Sequence, residues 1–356
     1  MEENMVQVEQ PIAEEPPVNE ETLIQKAKKA YSNCEWKIGA YVAISLLIVN
    51  LVALIYLVLT QKEEIPTQIS YLISFCSMYG IAFPIYLLLS RNAEKSVPKA
   101  GKFTLGDFFQ YFILGESLMT IGNVIGVFVT LLCTTLFHVD LGDATLSNAI
   151  LDEKSIVFII FATTFGPIVE EILFRKIFID RVRKYGDGKA VLVTGVLFGA
   201  FHGNFSQFFY ATFLGWMLGF IYVKTGKLRN TIALHMSLNI AGSLIPMFLM
   251  RNMDSSTLTA ELSELESAKY FFEHIGDFLP LIGWGILVLS MTFAGVVLLI
   301  TKLSNHEFQV NPPEVELPKG NDFKVTCLTI GMLIFVIVTV GEVILLLRIH
   351  SLLIII

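Results

Sequence analysis

The sequence is short of charge. Only 16% of its 356 residues are Asp, Glu, Lys or Arg, against 54% hydrophobic, with a mean hydropathy of +0.65. That balance excludes both an ordinary soluble domain and a disordered chain. Cysteine is scarce as well. Cys34, Cys76, Cys133 and Cys327 are dispersed, so the chain carries neither a disulfide framework nor a Cys-x-x-Cys redox or metal motif. It lacks a glycine-rich phosphate loop, internal repeats and any nucleic-acid signature, so no nucleic-acid partner is expected. It also lacks His-Glu-x-x-His, the usual helical zinc-protease pair. No cleavable signal pattern precedes the first apolar run, which is read as an uncleaved anchor.

Long apolar runs are abundant. A bilayer core about 30 Å thick takes about 20 apolar helical residues to cross, and nine stretches are candidates: 38–60, 69–90, 108–137, 155–179, 190–202, 205–223, 231–250, 278–301 and 326–347. The fifth is short, and its border with the sixth at "HGNFSQ" is the least defined. With the N-terminus inside, 18 Lys and Arg fall in inner segments and 5 in outer ones, the bias expected of cytoplasmic loops. The expected fold is therefore all-α: a polytopic integral protein of the cell membrane, a bundle of about nine transmembrane helices with a cytoplasmic N-terminus. Residues 1–36 read as a disordered acidic cytoplasmic tail, 37–350 as the bundle and 251–277 as an extracytoplasmic loop. Leu258, Leu262 and Leu265 in that loop suggest a short amphipathic helix.

One span breaks its own rule. "PIVEEILFRK", from Pro167 to Lys176, places Glu170, Glu171 and Arg175 inside an apolar helix. Three such charges cost roughly 8–10 kcal/mol on the insertion scale, against roughly 4–9 kcal/mol returned by about fifteen large apolar residues of the span. The helix is marginal alone and needs shelter inside a bundle. Glu171 and Arg175 are four apart, acid first, the favourable order for an ion pair on one face. Glu170 points about 100° away and has no such partner. Pro167, which cannot donate to the Thr163 carbonyl, is expected to kink the helix one turn earlier.

Two other spans carry isolated polar groups. Phe198 and His202 lie four apart on one face, as do His235 and Asn239. Small residues around them (Gly199, Ala200, Gly203, Ser237, Ala241, Gly242) allow close helix approach. Converging, these faces would join one unpaired carboxylate, two imidazoles and a carboxamide. A carboxylate at low dielectric suits general-base activation of water, and histidine and asparagine can donate to an oxyanion. A zinc ion held by Glu170, His202 and His235 is the mechanistic alternative. Glu116 and Glu342 read as structural residues.

Glu170-Glu171-x-x-x-Arg175, Phe198-x-x-x-His202 and His235-x-x-x-Asn239, in that order on successive spans, resemble the CPBP intramembrane proteases. This family (CAAX proteases and bacteriocin-processing enzymes, also called Abi) includes the Rce-type CAAX endopeptidases. The resemblance covers a core of about 155–250. It implies an α-helical intramembrane endopeptidase without a required cofactor. Glu170 and His202 would activate water, His235 and Asn239 would form the oxyanion hole, and Glu171, Arg175 and Phe198 would support them. The implied partners are the lipid bilayer and a membrane protein or peptide substrate. The alternative is a non-enzymatic immunity or scaffold protein that binds a peptide in the same polar pocket.

Overall fold

The computed structural model describes residues 19–92, 94–137, 156–251 and 264–353, all in helices and connecting loops with no strand among them. In chain order the helices are α1 (Glu20–Thr60), α2 (Thr67–Ser90), α3 (Leu105–Phe137), α4 (Ile156–Glu171), α5 (Asp187–Ala200), α6 (Phe205–Thr225), α7 (Leu228–Met250), α8 (Glu264–Glu273), α9 (Ile275–Ser304), α10 (Asp322–Thr326) and α11 (Ile330–Leu353). Each expected apolar stretch overlaps one of these helices, the fourth running on past α4 to Ile179 and the ninth opening at the end of α10 before α11. Six of them (α1, α2, α3, α6, α7 and α9) are long and apolar enough to cross a membrane. The protein is a multi-pass, all-helical membrane protein.

Two expected boundaries change. Residues 20–36 do not form a disordered tail; they are the opening turns of α1. Asn19 caps the helix, its side-chain oxygen accepting from the Glu21 amide at 3.0 Å. Ala27, Tyr31, Cys34 and Ile38 are buried at helical spacing, a stripe that holds this segment against the bundle despite its lysines. The rest of the expected tail, residues 1–18, lies outside the described residues. In the loop expected at 251–277, α8 carries Leu265, α9 already begins at Ile275, and Leu258 and Leu262 lie outside the described residues.

Large side chains such as Leu51 and Leu54 on α1, Phe128 on α3 and Phe293 and Val297 on α9 are exposed, as suits faces turned to lipid. The core lies instead around α6, which packs on α3, α5 and α7; α7 also packs on α4, and α11 lies along α1. Glycine makes the α5–α6 contact possible: a Cβ on Gly215 would sit 2.9 Å from the Gly195 Cα. Gly215→Ala is expected to lower stability by about 1–3 kcal/mol through overpacking, read as a reduced melting temperature of the purified protein in detergent.

Wide, π-type turns occur at three places among the described residues. They occupy Cys76–Ala82 in α2, Ile172–Ile179 directly after α4, and Ile240–Leu244 within α7. The α4 hydrogen-bond pattern thus runs through Pro167 and changes after the acids, at Ile172. Below α4 the chain is clamped by its loops. Arg183 pairs with Asp187 at 2.8 Å and with Glu314 at 3.0 Å, and the Ser96 amide donates to the Asp180 carbonyl at 2.6 Å.

Candidate active site

The last two residues of α4 are both glutamates, and the fold treats them differently. Glu171 is fully buried and pairs with Arg175, one turn on, at 3.2 Å, while the Glu170 side chain keeps 17% of its surface exposed. Arg175 is itself buried. It donates to the Gly215 carbonyl of α6 at 3.3 Å and lies over the Phe198 ring of α5, 4.9 Å from its centroid. The carbonyl and the ring supply part of the arginine's surroundings, while its Nε and Nη1 and the Oε2 of Glu171 make no hydrogen bond among the described residues.

His235 of α7 reaches both acids. Its Nδ1 lies 3.1 Å from Glu171 Oε1 and its Nε2 lies 3.6 Å from Glu170 Oε2. A carboxylate can only accept, so Nδ1 carries the proton shared with Glu171. Nε2, facing Glu170, is left free to exchange a proton or to donate when the ring holds two.

His202 stands just past the end of α5. Its Nδ1–H donates to the Phe198 carbonyl at 2.8 Å, which selects the tautomer with an unprotonated, accepting Nε2. Phe198 is the shared wall, its ring centroid 5.0 Å from that of His202 and 5.6 Å from that of His235. His202 does not pair directly with Glu170 among the described residues. Asn239, one turn after His235, is half-buried and makes no side-chain hydrogen bond among them. The structure therefore brings Glu170, Glu171, Arg175, Phe198 and His235 into contact. His202 stands across the Phe198 ring, and Asn239 stands at the next turn of α7.

Several neighbours were invisible in the sequence motifs. Gly166, one turn before Glu170, is small because the hydroxyl of Tyr79 from α2 lies 3.2 Å from where its Cβ would sit; Glu170 Oε1 lies 3.7 Å from the same point. Glu342 of α11, read as an isolated structural residue, brings its carboxyl carbon to 2.9 Å from a would-be Cβ on Gly203, the residue after His202. Gly203 has φ +68°, a conformation glycine adopts without strain. Nothing in the motif spacing pointed to Tyr79.

Among the described residues no three His, Cys, Asp or Glu side chains gather closely enough to hold a metal ion. The alternative Glu170–His202–His235 ligand set does not fit zinc as placed, and no step below is routed through it.

Residues 152–241, the segment that carries all of these motifs, match the family described as type II CAAX prenyl endopeptidase Rce1-like. The chain is also 31% identical over 109 residues to the "Putative membrane peptidase YdiL" of Bacillus subtilis (strain 168), a match covering 30% of this chain and 45% of that one. The match thus spans less than half the length of that relative. No solved structure matches. Together the two matches support a CPBP/Rce1-type family for this core.

Proposed function

We propose that the protein is an intramembrane endopeptidase in which Glu170 is the general base. What carries this reading is the contrast between adjacent acids. Glu171 is sealed in an ion pair, whereas Glu170 is partly open and makes no hydrogen bond among the described residues. A membrane-embedded carboxylate without a full set of partners marks a working group.

Glu170 takes a proton from water while the accepting Nε2 of His202 orients it. The water oxygen forms a bond to the peptide carbonyl carbon, and the carbonyl oxygen gains charge. Nε2 of His235, when doubly protonated, and the Asn239 amide donate to that oxygen. The intermediate then collapses, the C–N bond breaks, and the proton held by Glu170 passes to the departing amine. Glu171, Arg175 and Phe198 hold the frame. The substrate in this reading is a membrane-associated protein or peptide that enters from the bilayer.

Membrane fractions from cells carrying the wild-type chain or Glu170→Gln should differ by one or more membrane proteins that accumulate uncleaved in the variant, seen as lost new termini in terminal proteomics. Identical termini in the two strains would remove the proposal. Stoichiometric bound zinc with chelator-sensitive cleavage would overturn the metal-free step.

A further inference from the structure

We infer that Tyr79 is a positioning residue of this site, and that its hydroxyl and Glu170 Oε1 share the water that becomes the nucleophile. The inference rests on the reading of Glu170 as general base. Both oxygens lie within 4 Å of one point above Gly166, at 3.2 and 3.7 Å. No direct hydrogen bond joins them among the described residues, and a water between the two oxygens would join them. The other carboxylate oxygen, Oε2, faces His235 at 3.6 Å, so the two oxygens of Glu170 are divided between the histidine and the tyrosine.

The Tyr79 ring is fixed independently of its hydroxyl. It packs on Phe75 at 5.4 Å and edge-on to Phe165 at 5.3 Å between centroids, so the oxygen is held at a set height on α4. The wide turns give a second line of support. Those after α4 and within α7 begin at Ile172 and Ile240, directly after the Glu170-Glu171 pair and Asn239, and the third contains Tyr79 itself. Such turns recur at functional sites because they re-aim side chains that a regular helix would direct elsewhere.

In the shared arrangement the water donates one hydrogen to Glu170 Oε1 and the other to His202 Nε2 and accepts the Tyr79 O–H, which leaves one lone pair free for the carbonyl carbon. As Glu170 takes its proton, the remaining O–H bond stays directed at His202 while the Tyr79 O–H stays on the oxygen. No proton leaves the tyrosine.

The test uses the full-length purified chain and Tyr79→Phe, which keeps both ring contacts. Without any substrate, the Glu170 carboxyl bands in the infrared spectrum, assigned by their loss in Glu170→Gln, should shift in Tyr79→Phe. On a substrate recovered from the proteomic comparison, kcat should fall about tenfold with KM unchanged, as expected for one lost positioning hydrogen bond. Gly166→Ala, which crowds the hydroxyl, should move the bands and kcat in the same direction. Bands that stay in place in Tyr79→Phe would overturn the inference, whatever the cleavage rate. Shifted bands in a chain that cleaves nothing would instead retire the base role while leaving the Tyr79–Glu170 bridge standing.

Discussion

Glu170→Gln should lower turnover by about 10²–10⁴-fold, the range that a positioned general base contributes. Glutamine keeps the size of the side chain and its place beside His235, so the variant should fold and bind as the wild type does. The loss should therefore appear in kcat. His202→Ala should fall in a similar range, since the same water needs both partners in the proposed step. The double variant should lose little more than either single one, because groups that act as a unit are not additive. Full activity in Glu170→Gln, measured on the purified protein with an identified substrate, would remove the mechanism. Losses that multiply in the double variant would show that Glu170 and His202 serve different steps.

Arg175→Met should be the most damaging substitution for stability. It leaves Glu171, which has no exposed surface, as a carboxylate without its cation in the bundle interior. Breaking a buried pair from one side costs about 3–5 kcal/mol. The Gly215 carbonyl and the Phe198 face lose their partner at the same time. Glu171→Gln combined with Arg175→Met removes both charges and should recover much of that loss, though His235 then loses its acceptor for Nδ1. Denaturant or thermal unfolding in detergent reads both variants. A double variant no more stable than Arg175→Met would mean that the arginine acts through packing on Phe198 and not through charge.

What could be read beforehand was what repeats along one helix. The spacing of Glu171 and Arg175 exposed their ion pair, and the turn between Phe198 and His202 put both on one face, where the histidine bonds the phenylalanine's own carbonyl. Apolar length located the helices. Contacts across helices left no such trace: Tyr79 lies 91 positions before Glu170, and Gly215 lies 40 after Arg175, so neither pairing has a period to reveal it. The start of α1 was misplaced for a related reason. The acids and prolines of the tail and its lack of an apolar run suggested disorder, while the stripe from Ala27 to Ile38 becomes meaningful only once α11 is there to cover part of it. Even the favourable spacing within α4 does not specify that Glu171 must choose both Arg175 and His235.

The wide turns also set how the chain tolerates changes in length. A π turn holds about one residue more than an α turn, so deleting one residue inside Ile240–Leu244 would let α7 become regular. Everything beyond the deletion would keep roughly its present bearing and move about 1.5 Å along the axis, so Ile245–Met250 and the earlier His235 and Asn239 all hold their faces. The same deletion inside Ile172–Ile179 would fall between Glu171 and the anchors beyond it, the Ser96 amide on the Asp180 carbonyl and the Arg183–Asp187 pair, and would pull about 1.5 Å against both ends. One helix can therefore lose a residue at its far end and keep its chemistry, whereas the other has its length locked from both sides.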